Sequence, residues 1–505
     1  MRTFRSRFAG TILAALATVS GPAAWAANDA CQYLQVAKLP LHYRGPGLEI
    51  TVDGLINDTP APMLVDTGAF TTLMTRTGTE KRDLKLDATS REAEGVGGVS
   101  ALYTAWVDQF SIGPSRAKPS WVAVIGLTGD TPAYDAIVGA PFLLQMDMEL
   151  ALADKEIKFF KPQGCGDRDF LAYWDRNAIV IPAKRGYDTP NLHFKVHVNG
   201  RELDAIIDSG AGISSIVARS ARRIGVSLAR PDLKRLQYSA GIGESLAPTW
   251  SARTASIKIG NETILDADIG IVDVDGYTPY DMILGADFLR AHRVLFAMSQ
   301  DRLYISYTGG DVFQQRASIE PWVRREAAGG NPDAQMELAN RYFNGKGVAK
   351  DEAEGQAWLD KAVALGDAHA NTIDGYRQLE RKRYPEAAAR LAVALANEPD
   401  GRYHALTLYL ARLRSNQREL GAQELSTRFA RYTDEAWPGP IARFYLGRID
   451  IETARAQARL EPKFARQRGC EVDEYLADLY RAEGKDAAAE PVQQAWDKRC
   501  AAKTP

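Results

Sequence analysis

Asp66 and Asp208 each end an apolar run, and each is followed by a small hydroxyl residue, a glycine and an alanine. The two stretches are Met63-Leu64-Val65-Asp66-Thr67-Gly68-Ala69 and Ala205-Ile206-Ile207-Asp208-Ser209-Gly210-Ala211. Two carboxylates brought close together cannot both ionise. They share one proton, and their titration belongs to the pair. One member then accepts a proton while the other donates one, which is the equipment for activating water against a polar bond. Gly68 and Gly210 permit a sharp backbone turn where a Cβ would clash. The Thr67 and Ser209 hydroxyls can bond to backbone of the opposite half and lock the carboxylates in place. Either motif alone reads equally well as a solvated turn aspartate; the repetition favours chemistry.

The elements that must position the pair are also duplicated. Each motif is followed by a glycine-rich loop, Glu94-Gly95-Val96-Gly97-Gly98 and Ala240-Gly241-Ile242-Gly243-Glu244, and then by an apolar strand ending in glycine, Ala136-Ile137-Val138-Gly139 and Met282-Ile283-Leu284-Gly285. The aspartates are 142 residues apart, and both the loops and the strand-end glycines 146 apart. Offsets this constant indicate two copies of one unit. Strand signals run from about Leu39 to Tyr307. Asp53-Gly54 and Asn199-Gly200 are read as hairpin turns, because a type I′ turn needs positive φ. On that reading Gly54 lies 12 residues before its aspartate and Gly200 only 8 before its own.

These motifs resemble the aspartic protease superfamily, nearer its retroviral type than pepsin because Ala69 and Ala211 follow the glycines and Gly285-Ala286-Asp287 closes the second half. The resemblance covers roughly Leu48 to Tyr307. It implies a mainly-β, double-lobed fold with Asp66 and Asp208 catalytic, Thr67, Gly68, Ser209 and Gly210 supporting the dyad, and Gly95, Val96, Gly97 and Gly98 with Gly241, Ile242 and Gly243 as substrate-binding flaps. Ordinary glycine-rich turns are the plainer reading of those loops. The chain departs from the family in having Ser209 for the commoner Thr and Pro141 where the second half has Asp287. Retroviral enzymes assemble from two identical chains, whereas this chain carries both halves.

After about Gln314, Ala, Glu, Arg and Leu dominate and helical periodicity takes over. Gly330-Asn331-Pro332-Asp333-Ala334 recurs as Gly366-Asp367-Ala368-His369-Ala370, a period of 36. This resembles a Sel-one-like repeat, a relative of the tetratricopeptide repeat, and implies an all-α solenoid. Such a segment either recruits a partner or substrate or acts as a stabilising appendage.

The expected organisation is a signal peptide over 1–26, an N-terminal lobe over 27–165, a C-terminal lobe over 166–312 and a helical repeat domain over 313–505. Arg2, Arg5 and Arg7 precede an apolar stretch and an Ala24-Trp25-Ala26 cleavage site. Export to a periplasmic or secreted location is therefore expected, and with it disulfides. Cys31 and Cys165 flank the first lobe; Cys470 and Cys500 flank a predicted helical hairpin turning at Gly484. Four cysteines allow three connectivities.

A net charge of −2 argues against nucleic acid or an anionic membrane as partner. Six histidines and four cysteines lack zinc-type spacing, so no metal or cofactor is expected. His193 and His197 read as structural or surface groups on one strand face. No G-x-S-x-G elbow is present. The expected function is an exported, monomeric aspartic endopeptidase acting on polypeptide, with a possible protein partner on the helices. The rival is a non-catalytic peptide-binding scaffold.

Overall fold

A computed structural model describes residues 31–125, 132–187, 190–228, 233–236, 241, 247–274, 278–313, 319–397, 401–430, 437–462 and 464–500. The 1–26 segment and the flap residues Ile242 and Gly243 lie outside them.

Each lobe begins with a hairpin that delivers its aspartate. In the first, Glu49–Ile56 pairs with Thr59–Asp66; in the second, Leu192–Val198 pairs with Arg201–Ile207. The second turn is Asn199-Gly200, both at positive φ, as the sequence indicates. The first is not Asp53-Gly54. Those residues sit inside the strand opposite Pro62 and Ala61, and the turn is Asn57-Asp58, at φ 47° and 59°. Asn and Asp tolerate the left-handed region that a type I′ turn demands. Gly54 answers to packing instead: a Cβ there would lie 2.5 Å from Met63 Cε and 2.7 Å from the Ser111 carbonyl oxygen. With this correction both turns end eight residues before their aspartates.

The apolar-Gly strands complete each half. Ala136–Gly139 runs parallel to the Asp66 strand, with Gly139 opposite Asp66, and antiparallel to Leu73–Thr75. Met282–Leu284 does the same between Arg201–Ile207 and Ser215–Val217. Parallel neighbours cannot be joined by a tight turn, so a long stretch must cross between them. In the first lobe that stretch carries the flap hairpin. Ala136 to Gly139 are all buried, which is why this strand is an unbroken apolar run.

A six-stranded antiparallel sheet joins the lobes, in the order Gln32–Pro40, Glu156–Gln163, Asp147–Ala151, His292–Ala297, Arg302–Tyr307, Ile179–Pro182. Three strands come from each half, and Asp147–Ala151 meets His292–Ala297 at the centre. Buried Glu149 sits at this seam, 2.7 Å from Arg293 Nη2 and 3.3 Å from Lys158 Nζ. Removing one member of a buried charge cluster strands the others. Glu149→Ala is expected to cost about 3–5 kcal/mol in a denaturant titration; a loss below ~1 kcal/mol would mean the cations find water instead.

From Pro321 onward every described element is a helix. The 36-residue echo has a structural basis. Gly330 and Gly366 take φ of +90° and +75°, and the next residues, Asn331 and Asp367, cap helices Pro332–Asn344 and Ala368–Glu380 by accepting from Ala334 N–H and Ala370 N–H. Val323, Ala327, Ala334 and Leu338 share one continuous core with both lobes, so the first two helices are packed into the β region. Farther along, Arg402 Nη2 reaches Glu80 of the first lobe at 3.5 Å. Disulfides link Cys31 to Cys165 and Cys470 to Cys500. The second closes the open end of the hairpin formed by Ala465–Ala482 and Asp486–Arg499. Among the described residues no helix is long and apolar enough to cross a membrane.

Candidate active site

The residues after each aspartate grip the opposite lobe. Thr67 Oγ1 donates to the Ile207 carbonyl oxygen at 2.8 Å, and Ser209 Oγ donates to that of Val65 at 2.6 Å. In return Ser209 N–H donates to Thr67 Oγ1 at 3.0 Å and Thr67 N–H to Ser209 Oγ at 3.1 Å. Both hydroxyls are buried, so four mutually satisfied bonds hold the lobes in register where no water competes.

Each carboxylate is then fixed by its own loop. Asp66 Oδ1 accepts from Gly68 N–H and Ala69 N–H, both at 2.9 Å; Asp208 Oδ1 accepts from Gly210 N–H at 2.9 Å and Ala211 N–H at 3.2 Å. A Cβ on Gly68 would lie 2.4 Å from Asp208 Cγ, and one on Gly210 2.4 Å from Asp66 Cγ. Each glycine thus makes room for the carboxylate of the other lobe. Burial pushes the Asp66 carboxyl well above the ordinary carboxylate range, and the neighbouring Asp208 charge raises it further. Burial raises Asp208 too, opposed by its hydrogen bond with Asp66 and by the loop amides. The pair therefore retains one proton where isolated carboxylates have lost theirs.

That retention has a thermodynamic sign. A raised carboxyl pKa means the folded chain binds the proton more tightly than the unfolded chain. The stabilisation is complete below the ordinary Asp value, about 4, and is lost as pH rises through the folded value. Asp66→Asn removes the ionisable group from this balance. Its Tm is expected to match the wild type near pH 3.5 and to exceed it by about 2–4 °C at pH 7. A Tm difference that ignores pH in thermal melts would contradict this.

The first flap is a hairpin of Asp87–Gly95 and Gly98–Val107, with Gly95 opposite Gly98 and Val96-Gly97 at its tip. Its tip reaches the second lobe: a Cβ on Gly241 would lie 3.0 Å from Val96 Cβ. His193 is tied to Asp204 at 2.8 Å and His197 is exposed. Among the described residues no cluster of His, Cys, Asp and Glu is suited to a metal ion.

Three neighbours of the dyad escaped the sequence reading. Tyr134 and Tyr280 are half-buried, and the acidity of their phenols is suppressed first by loss of solvent; the aspartate charges suppress both further, Glu49 adding at Tyr134. They are 146 residues apart, the offset already visible in the strand-end glycines, and that spacing is the signal that pairs them. Asn191 donates through Nδ2 to the Thr67 carbonyl oxygen across the lobes. The strand beside Asn191 repeats in the first half, but the offset of 142 places Glu49 at the matching position, so no repeated residue marks Asn191.

Both halves match known families. Residues 52–142 match the family model described as aspartyl protease, and residues 194–291 the one described as gag-polyprotein putative aspartyl protease. Over 116 residues the chain is 30% identical to DNA damage-inducible protein 1 of Kluyveromyces lactis, covering 23% of this chain and 26% of that protein. The chain thus spans about a quarter of that relative's length. Among solved structures, the aspartic proteinase from Irpex lacteus is matched over 55% of this chain and 98% of its own, at 12% identity and a TM-score of 0.34. The β region is of the aspartic protease class. Within that class its two halves are retropepsin-like, and both lie in one polypeptide.

Proposed function

We propose that the chain is an aspartic endopeptidase whose Asp66/Asp208 dyad hydrolyses peptide bonds in extended polypeptide. The observation that carries this reading is the symmetric pair of half-buried carboxylates, each backed by two loop amides and bound into one unit by Thr67 and Ser209. The ionised member removes a proton from water as that water attacks the carbonyl carbon. The protonated member gives its proton to the carbonyl oxygen. A tetrahedral diol forms, and it collapses to acid and amine as the nitrogen takes up a proton. The flap strands offer backbone groups to an extended substrate. The test is cleavage of a diverse peptide mixture by the mature protein between about pH 3 and pH 8, the range in which such a pair titrates. A protein that retains peptides at every pH without cutting them fits the scaffold reading instead.

Export belongs to the same proposal. The basic and apolar start of the chain and the two disulfides support a site of action outside the cytoplasm. N-terminal sequencing of protein recovered from the producing cell is expected to begin at Ala27; recovery of an intact Met1 would remove this part.

A further inference from the structure

The second lobe holds its aspartate loop through one more polar group than the first. In both lobes a hydroxyl six residues after the aspartate accepts the amide of the strand-end glycine: Thr72 Oγ1 from Gly139 at 3.1 Å, and Ser214 Oγ from Gly285 at 2.9 Å. Only behind Ser214 does a carboxylate stand. Asp287 Oδ1 accepts from Ser214 N–H at 2.8 Å, from Ser214 Oγ at 2.6 Å and from Phe288 N–H at 2.9 Å. The first lobe has Pro141 in that place. The path onward to the dyad is short. Ala286 N–H donates to the Ala211 carbonyl oxygen at 2.8 Å, and Ala211 N–H donates to Asp208 Oδ1.

Asp287 lies where three parts of the chain meet. Gly47 of the first lobe, Gly212 and Ile213 of the second, and Glu320, Trp322, Glu337 and Arg341 of the helical segment line a cavity of only about 50 Å³ beside it. Burial pushes the Asp287 carboxyl up, while the Ser214 bonds and the charge of Arg290 draw it down. Arg341 is engaged with Glu337 at 2.7 Å and Glu320 at 3.3 Å. Arg290 lines the same cavity, three residues along the chain, and its charge acts on Asp287. Its guanidinium rests 3.9 Å from the Trp322 ring centroid and 5.6 Å from that of Tyr43, and the two rings are 4.9 Å apart. Trp322 sits on Pro321–Ala328, the first helix after the β region, whose Val323 and Ala327 are locked in the common core.

We propose that the helical segment is part of the catalytic apparatus: Trp322 and Tyr43 clamp Arg290 beside Asp287, keeping that carboxylate an acceptor for Ser214 and thereby fixing the loop that carries Asp208. This rests on the peptidase reading. Trp322, Arg290 and Asp287 are positioning residues. If Arg290 swings away, Asp287 takes up a proton more readily, and a neutral carboxyl accepts its three donors more weakly than a carboxylate does. The second aspartate then loses its backing, while the first, built on Pro141, does not.

The test compares full-length mature protein with Trp322→Ala, Trp322→Phe and Asp287→Asn. Two readouts are followed: peptide cleavage against pH, and deuterium exchange in segments 208–215 and 282–287 beside 66–73 and 136–141. Trp322→Ala is expected to lower kcat about tenfold, the scale of a desolvated cation–π contact, with KM within about twofold. Its acid limb should move to higher pH, and Trp322→Phe should recover most of the loss. Exchange should rise several-fold only in the two second-lobe segments. Unchanged exchange in 208–215, or an equal rise in both lobes, overturns the proposal whatever kcat does. Should the wild type cleave nothing, the peptidase reading falls and exchange alone decides the coupling.

Discussion

Asp66→Asn and Asp208→Asn are each expected to lower kcat by about 10³-fold or more while leaving the fold intact. The size follows from the sharing of one proton. Replacing either carboxylate leaves a partner that serves as base or as acid but not as both in one turnover. An amide keeps the shape of the carboxyl and still presents an oxygen to the loop amides of Gly68 and Ala69, or Gly210 and Ala211. Folding should thus survive, and circular dichroism and melting near pH 3.5 check this. The wild-type pH profile should be bell-shaped, with limbs belonging to the pair. Cleavage that persists in either variant points to different chemistry or a contaminant. A residual profile with one limb missing identifies the partner left behind.

Gly68→Ala and Gly210→Ala form the second large expectation, and they act by geometry alone. Each new Cβ would sit 2.4 Å from the Cγ of the opposite aspartate, far inside the ~3.5 Å at which carbon atoms meet. Neither loop retreats easily, because both flanking hydroxyls are tied across the lobes. The carboxylates must part, so a pair that shares a proton becomes two separate groups. Cleavage is expected to fall about 10²–10³-fold, and stability by about 1–3 kcal/mol as for an overpacked site. The contrast with the Asn variants is diagnostic: those lose activity without losing stability near pH 3.5, and these lose both. An alanine variant with wild-type kcat/KM would show that the aspartates do not approach as closely as this geometry has them.

Much of this site is readable from residue order because its constraints are local. A strand buried on both faces must be apolar throughout, and a turn that admits a foreign carboxylate must be glycine. Both leave marks at fixed spacing, as at Val138-Gly139 and Leu284-Gly285. The positions of the cysteines left three connectivities open, and the structure has Cys31–Cys165 and Cys470–Cys500. The first hairpin turn was not legible either, because Asp53-Gly54 and Asn57-Asp58 both suit a type I′ turn. Met63 and Ser111, on other strands, account for a glycine at position 54 that makes no turn, since a Cβ there would clash with both. The joining sheet, Asn191, and the stacking of Trp322 on Arg290 depend on residues far apart in the chain, and no periodicity announces them. Tyr134 and Tyr280 fall between these cases: their offset was visible, but an aromatic before an apolar strand is ordinary core material until its neighbours are known.

The six-stranded sheet also sets a clock. Asp147–Ala151 has its outer partner in Glu156–Gln163 as soon as that stretch exists, but its inner edge waits for His292–Ala297. Roughly 7–30 s of synthesis separate the two at common elongation rates. Asp208 is made within that interval, but the central pairing of the joining sheet is not yet closed. Carboxylates not yet brought together share no proton, so on the proposed reading the growing chain carries an incomplete dyad. On the proposed reading, two lobes that share this sheet delay any cleaving power until more than 290 residues have been made.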